Sequence, residues 1–289
     1  MTRLTTGGDP AAVVATIKGV PGIFTAIAPS GADSRIGADS LITVLPRDES
    51  STNAGKDALT AVRSAVANDH NVFGITGDAA FEVDFNHAVY GSFPLMLSII
   101  ALLTLALLAR AFRSLLLAAK AVILNLISLA CAFGVLTLVF QDGHGSGAIW
   151  GIPPTGAITI WVPVMVFAFL FGLSMDYEVF ILSRMREAYD QTGSTESAVV
   201  TGLGRTGRLV TSAALILFLA FISLASGPET DIKVFATGLG FGILLDATVV
   251  RMLLVPALVS MFGRWNWYMP RGIARALQLP ASAEVEEAA

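Results

Sequence analysis

Five side chains stand where a sequence of this kind tolerates few: Asp176, Tyr177, Glu178, Asp246 and Arg251. The chain around them is almost free of charge, with none from Ala121 to Gln141, from Gly143 to Met175 or from Leu209 to Pro228. A carboxyl group held away from water can load and release a proton near neutral pH. Asp176 is the residue placed to do so, and the adjacent Tyr177 phenol can donate to a carboxylate within a proton wire. The residues alone leave a second possibility open, in which Asp176 is half of a structural ion pair. Glu178, two positions on, points to another helix face and reads as structural. Asp246 and Arg251 are separated by about 140° on an α-helix, so each is expected to meet a neighbouring helix rather than the other. Arg251 cannot shed its proton and is a fixed counter-charge. Gly238, Gly240 and Gly242 allow close helix approach, as does Gly172 one turn before Asp176.

The elements that must hold these groups follow from composition. Of 289 residues, 54% are hydrophobic and 14% charged, with a mean hydropathy of +0.71. A soluble fold would expose large apolar patches at that composition. Soluble enzymes and disordered chains are therefore excluded, and a net charge of −4 offers no footprint for nucleic acid. About 20 apolar residues cross a bilayer as a helix. Five spans are read, at about 91–111, 115–140, 157–183, 208–226 and 234–262, giving a polytopic α-helical bundle. Arg110, Arg113, Lys120, Arg184, Arg186, Arg205, Arg208, Arg264, Arg271 and Arg275 all gather at one end of it. The positive-inside rule makes that end cytoplasmic, with residues 1–90 outside and the C-terminus inside. Trp150, Trp161, Trp265, Trp267 and Tyr268 fall where an aromatic belt would lie. Residues 264–289 read as a cytoplasmic tail with a disordered acidic end.

Residues 1–92 carry sixteen charges and read as a water-exposed α/β lobe. A helix ending near 18, strands at 22–28 and 38–46, a helix over 50–68 and a strand at 72–76 give α-β-β-α-β. Ala54, Ala58, Val62, Ala65 and Val66 form that second helix's apolar face, with Ser51 or Thr52 as its cap. The order is that of a ferredoxin-like βαββαβ unit lacking its first strand. Residues 78–90 are expected to run as helix towards the first span. No signal-peptide core follows Met1, and an upstream segment is therefore expected. Gly202-Leu-Gly-Arg-Thr-Gly207 matches G-x-G-x-x-G but lacks a preceding strand, and the next acid, Glu229, is expected across the bilayer, so nucleotide binding is rejected. His70, His87 and His144 have no metal-ligand spacing. No catalytic constellation is found, and no cofactor is expected beyond protons as the coupling ion.

Gly172-Leu-Ser-Met-Asp-Tyr-Glu-Val-Phe-Ile-Leu-Ser-Arg184 resembles the MMPL family of the resistance–nodulation–division superfamily of transporters. The likeness continues through Gly204-Arg-Thr-Gly207, Gly242-Ile-Leu-Leu-Asp-Ala-Thr-Val-Val-Arg251 and Gly263-Arg-Trp-Asn-Trp-Tyr-Met-Pro270. The resemblance implies two similar halves, each of six helices with an outer porter lobe, exporting lipids or hydrophobic small molecules on proton flow. This chain corresponds to the second half, its five spans being the eighth to twelfth helices. Asp176 and Tyr177 match the family's proton-relay pair, and Asp246 and Arg251 its charged positions in the twelfth helix. The first half is absent, so the expected partners are a separately encoded N-terminal half or a second copy, with membrane lipid or a hydrophobic substrate as cargo. The alternative is a truncated, non-transporting membrane module.

Overall fold

The computed structural model describes residues 2–6, 9–30, 35–36, 39–48 and 52–276, and they form two units, 1–95 and 96–289. Ser51 and the acidic end of the expected tail, 277–289, lie outside the described residues.

The first unit is a sheet with helices on one face. Its strands are β1 (Thr2–Thr6), β2 (Ile23–Ile27), β3 (Arg35–Ile36), β4 (Asp39–Pro46) and β5 (Val72–Gly77). The antiparallel order is β2-β4-β1-β5, with β3 paired to β4. Helices α1 (Pro10–Lys18) and α2 (Asn53–Val66) connect them in the βαββαβ sense. The first strand, expected to be missing, is thus present. Thr2-Arg-Leu-Thr-Thr has one apolar residue and shows no hydrophobic alternation, but its β-branched threonines suit extended backbone. It pairs Leu4 with Ile42 and with Ile75. Asp9 caps α1 through the Ala11 amide at 2.9 Å, and Thr52 caps α2 through the Gly55 amide at 3.1 Å. Val13, Ile17, Ile42, Val44, Ala58 and Val62 form the core. The apolar face of α2 is turned slightly from the expected one: Gly55 and Leu59 are buried, while Ala54 and Ala65 are exposed. Gly22, at φ +83°, lets its turn approach α2, where a Cβ would lie 2.9 Å from that of Ala58. Helix α3 (Asp78–Phe85) follows and continues as a π-helical turn to Tyr90.

The second unit is helical. It comprises α4 (Phe93–Phe112), α5 (Leu115–Leu136), the short α6 (Ser146–Trp150), α7 (Trp161–Thr192), α8 (Thr195–Ala225), α9 (Thr230–Leu245), α10 (Val255–Phe262) and α11 (Arg271–Ala276). Among the described residues, five helical stretches are long and apolar enough to cross a membrane. Helix α8 starts at Thr195, well before the expected 208, with Ser194 as its N-cap. Between α9 and α10 the backbone is π-helical over Asp246–Leu254. The most apolar stretch of the last span is half buried inside the bundle against 11% for the first, and nine residues of α9 are buried, so α9 is central and α4 peripheral.

Close approach uses small residues. A Cβ on Gly238 would lie 2.8 Å from Leu136, and one on Gly242 would meet Leu170 at 2.9 Å and Ala132 at 3.2 Å. A Cβ on Gly240 would have ordinary contacts, at 3.5 Å from Ile222. Gly172 is different: among the described residues nothing outside its own helix backbone lies within 4 Å of its Cβ position, so no close helix approach is made there. Gly202 sits inside α8, where a Cβ would strike Met185 of α7 at 2.4 Å. The glycine-rich motif is therefore a helix contact and not a loop.

Residues 263–274 are folded rather than trailing. A 3-10 turn over Gly263–Trp267 buries Asn266 and Trp267. Asn266 Nδ2 donates to the Val259 and Gly263 carbonyls at 2.6 and 2.7 Å, tying its side chain to the end of α10. Its Oδ1 accepts from Lys120 Nζ, and its backbone oxygen accepts from Ser114 Oγ. Trp267 stacks on Tyr189 at 4.1 Å and donates from Nε1 to Thr195 Oγ1 at 2.9 Å. Trp267 is thus a core residue and not part of an interfacial belt, unlike the exposed Trp265 and Tyr268.

Candidate functional site

Helix α7 brings Asp176, Tyr177 and Glu178 to its middle, and successive positions about 100° apart send them in three directions. Asp176 is exposed, where the sequence places it inside the bundle. It shares an outward stripe with Met165, Phe169, Gly172 and Phe180, all exposed. The cause lies in α7 itself, which is apolar on nearly every face, so periodicity does not tell inside from outside. Glu178, read from the sequence as structural and on another face from Asp176, is buried at 4% exposure. It feels the charges of both Arg251 and Asp246. Tyr177 is half-buried between these two environments, and the Arg251 guanidinium lies 5.7 Å from its ring centroid.

Asp246 and Arg251 pair with each other, contrary to the expectation from α-helical geometry. Arg251 Nε donates to Asp246 Oδ2 at 2.7 Å, and both residues are buried. The reason is the backbone: a π-helix closes i→i+5, which brings residues five apart onto one face. Arg251 Nη2 also donates to the Ser174 carbonyl of α7. Its Nη1 is buried with no hydrogen-bond partner among the described residues. The second carboxylate oxygen, Asp246 Oδ1, accepts from Ser128 Oγ of α5 at 2.8 Å. One turn away, Asn125 Nδ2 donates to the Phe171 carbonyl at 3.2 Å.

The site is therefore a junction of three elements. The π-helical segment supplies the ion pair, α7 supplies a carbonyl and the Tyr177 ring, and α5 supplies a hydroxyl. The hydrogen bonds from Ser128 to Asp246 Oδ1 and from Arg251 Nη2 to the Ser174 carbonyl offset part of the desolvation cost of this buried pair. Asp176 stands on the far side of Tyr177 from the pair, facing out. Ser128, Ser174 and Asn125 are not legible as site residues in the sequence. The one signal for Ser128 and Asn125 is that they are three apart, on one face, within a charge-free span.

The MMPL family profile matches residues 34–285. The chain is 38% identical over 270 residues to the heme uptake protein MmpL11 of Mycobacterium tuberculosis, covering 92% of this chain and 27% of that protein. It is 37% identical over 238 residues to the mycolic acid-containing lipids exporter MmpL11 of Mycolicibacterium smegmatis, covering 82% and 25%. It is 38% identical over 213 residues to the trehalose monomycolate exporter MmpL3 of the same organism, covering 73% and 21%. The chain thus spans about a quarter of the length of these curated relatives.

Proposed function

The chain belongs to the MMPL family, a multi-pass helical membrane protein, and on that premise we propose that it forms one half of a proton-driven transporter. The cargo on this reading is a lipid or another hydrophobic small molecule, exported across the cytoplasmic membrane. The relatives named as lipid exporters support both cargo class and direction. The relative named for heme uptake agrees on a hydrophobic cargo and differs on direction. The orientation, with the first unit outside and the basic end of the bundle inside, rests on the distribution of Lys and Arg.

One observation carries the reading: Asp176 lies exposed at the middle of an apolar span, beside a tyrosine that reaches the buried Arg251. A charge facing lipid at that depth costs about 2.5–3.5 kcal/mol, so the stripe around it needs a protein or water-lined cover. A separately encoded half or a second copy of this chain supplies that cover. Protonation of Asp176 then removes a negative charge at the seam, and Tyr177 carries the change to the Asp246–Arg251 pair. Each proton moved down the membrane potential releases about 2.3 kcal/mol per 100 mV, available to drive the cycle.

The test is proton flux into proteoliposomes containing the full chain, at densities that let copies meet, read with an enclosed pH-sensitive dye. The parent chain conducts protons under an imposed gradient, and Asp176→Asn does not. Equal flux from both would remove Asp176 from the mechanism. No flux from the parent would favour the non-transporting membrane module.

A further inference from the structure

The geometry points to Ser128 of α5 as a positioning residue that sets the Asp246 carboxylate; the inference deepens the proton-transport reading and rests on it. Hydroxyls within helices ordinarily bond back to the carbonyl four residues earlier. Here Thr206, Thr211, Ser212 and Thr248 all do so, at 2.7–2.8 Å. Ser128 does not. Fully buried, it crosses to another element and donates to Asp246 Oδ1 at 2.8 Å.

Packing one turn away explains how the contact is set. Gly242 of α9 lies against α5, where a Cβ on it would be 3.2 Å from that of Ala132. Four residues on from Gly242 is Asp246, and four residues back from Ala132 is Ser128. The two helices run in opposite directions, so both steps lead the same way, and the small–small contact places hydroxyl opposite carboxylate. The result divides the labour between the two carboxylate oxygens. Oδ1 is held by Ser128, and Oδ2 is left for Arg251 Nε at 2.7 Å. Arg251 is thereby aimed so that Nη2 reaches the Ser174 carbonyl and its guanidinium faces the Tyr177 ring. Ser128 acts through Asp246. Through it, α5 senses whether the Asp246–Arg251 pair is made.

The experiment compares Ser128→Ala and Ser128→Thr in the full chain reconstituted in liposomes. Its first readout is isotope-edited infrared spectroscopy with 13C-labelled aspartate, the Asp246 carboxylate stretch being the band lost in D246N. In S128A that band is displaced, because one oxygen has lost its donor, and in S128T it stays at the parental position. The second readout is proton flux, expected to fall about tenfold or more in S128A, the equivalent of one hydrogen bond to a charged group, and to recover in S128T. A band unmoved in S128A, or displaced equally in S128T, overturns the assignment. If the parent conducts no protons, the transport reading fails alone, because the vibrational comparison needs no flux.

Discussion

Cutting Arg251 down to methionine tests the centre of the site. The side chain is 1% exposed and holds three interactions: the Asp246 ion pair, the Ser174 carbonyl and the Tyr177 ring. Removing it leaves the Asp246 carboxylate buried with one hydrogen bond, from Ser128. Breaking a buried pair from one side costs about 3–5 kcal/mol, mostly as the uncompensated charge left behind. The lost cation–π contact adds about 0.5–2 kcal/mol. Asp246→Asn should cost a similar amount, since it strands the guanidinium. The double substitution D246N/R251M strands neither charge and should fall short of the sum of the singles by about 2 kcal/mol or more. Equilibrium unfolding of the full chain in mixed micelles, followed by helical circular dichroism, measures all four species. Additivity of the two singles within about 0.5 kcal/mol would refute the pairing through the π-helical segment.

Gly242→Leu should destabilise by about 1–3 kcal/mol, because Leu170 and Ala132 already occupy the space, whereas Gly172→Ala should be neutral or slightly stabilising; the same unfolding assay compares them. Asp176→Asn should stabilise the chain in micelles rather than destabilise it, because it removes a charge from an exposed position within an apolar span, even where it abolishes proton flux. Asn266→Ala should cost about 2–3 kcal/mol by removing the tie to the end of α10 and the Lys120 contact. Hydrogen exchange should then accelerate first in α10 and at the start of α5.

The five spans were legible because long charge-free stretches have few alternatives in physics: their backbone amides must bond internally. The lobe's helices and longer strands were legible from alternation and caps. What escaped did so for specific reasons. β1 is recognised through its neighbours in the sheet, and five mostly polar residues carry no pattern of their own. The Asp246–Arg251 pair was hidden because angular arithmetic assumes an α-helix, and nothing in Asp-Ala-Thr-Val-Val-Arg announces a wider backbone. The outward setting of Asp176 and the burial of Glu178 could not be ordered from a helix apolar on most sides. Ser128 gave only the faint signal of its spacing from Asn125, because a serine in an apolar span ordinarily bonds to its own helix. The family motifs located the chemistry, and the backbone register decided which groups meet.

The turn over Gly263–Trp267 has a bearing on how the chain is made. It is among the last described parts to leave the ribosome, yet it ties down ends of helices synthesised long before, with Ser114 and Asn266 separated by 152 positions. At synthesis rates of about 5–20 residues per second, α5 waits on the order of ten seconds or more for its fastener. During that interval Lys120 and the start of α5 are without their Asn266 partner, open to insertion factors or to quality control. A nascent chain arrested before Asn266 should therefore be captured by such factors, and one released a few residues later should escape them.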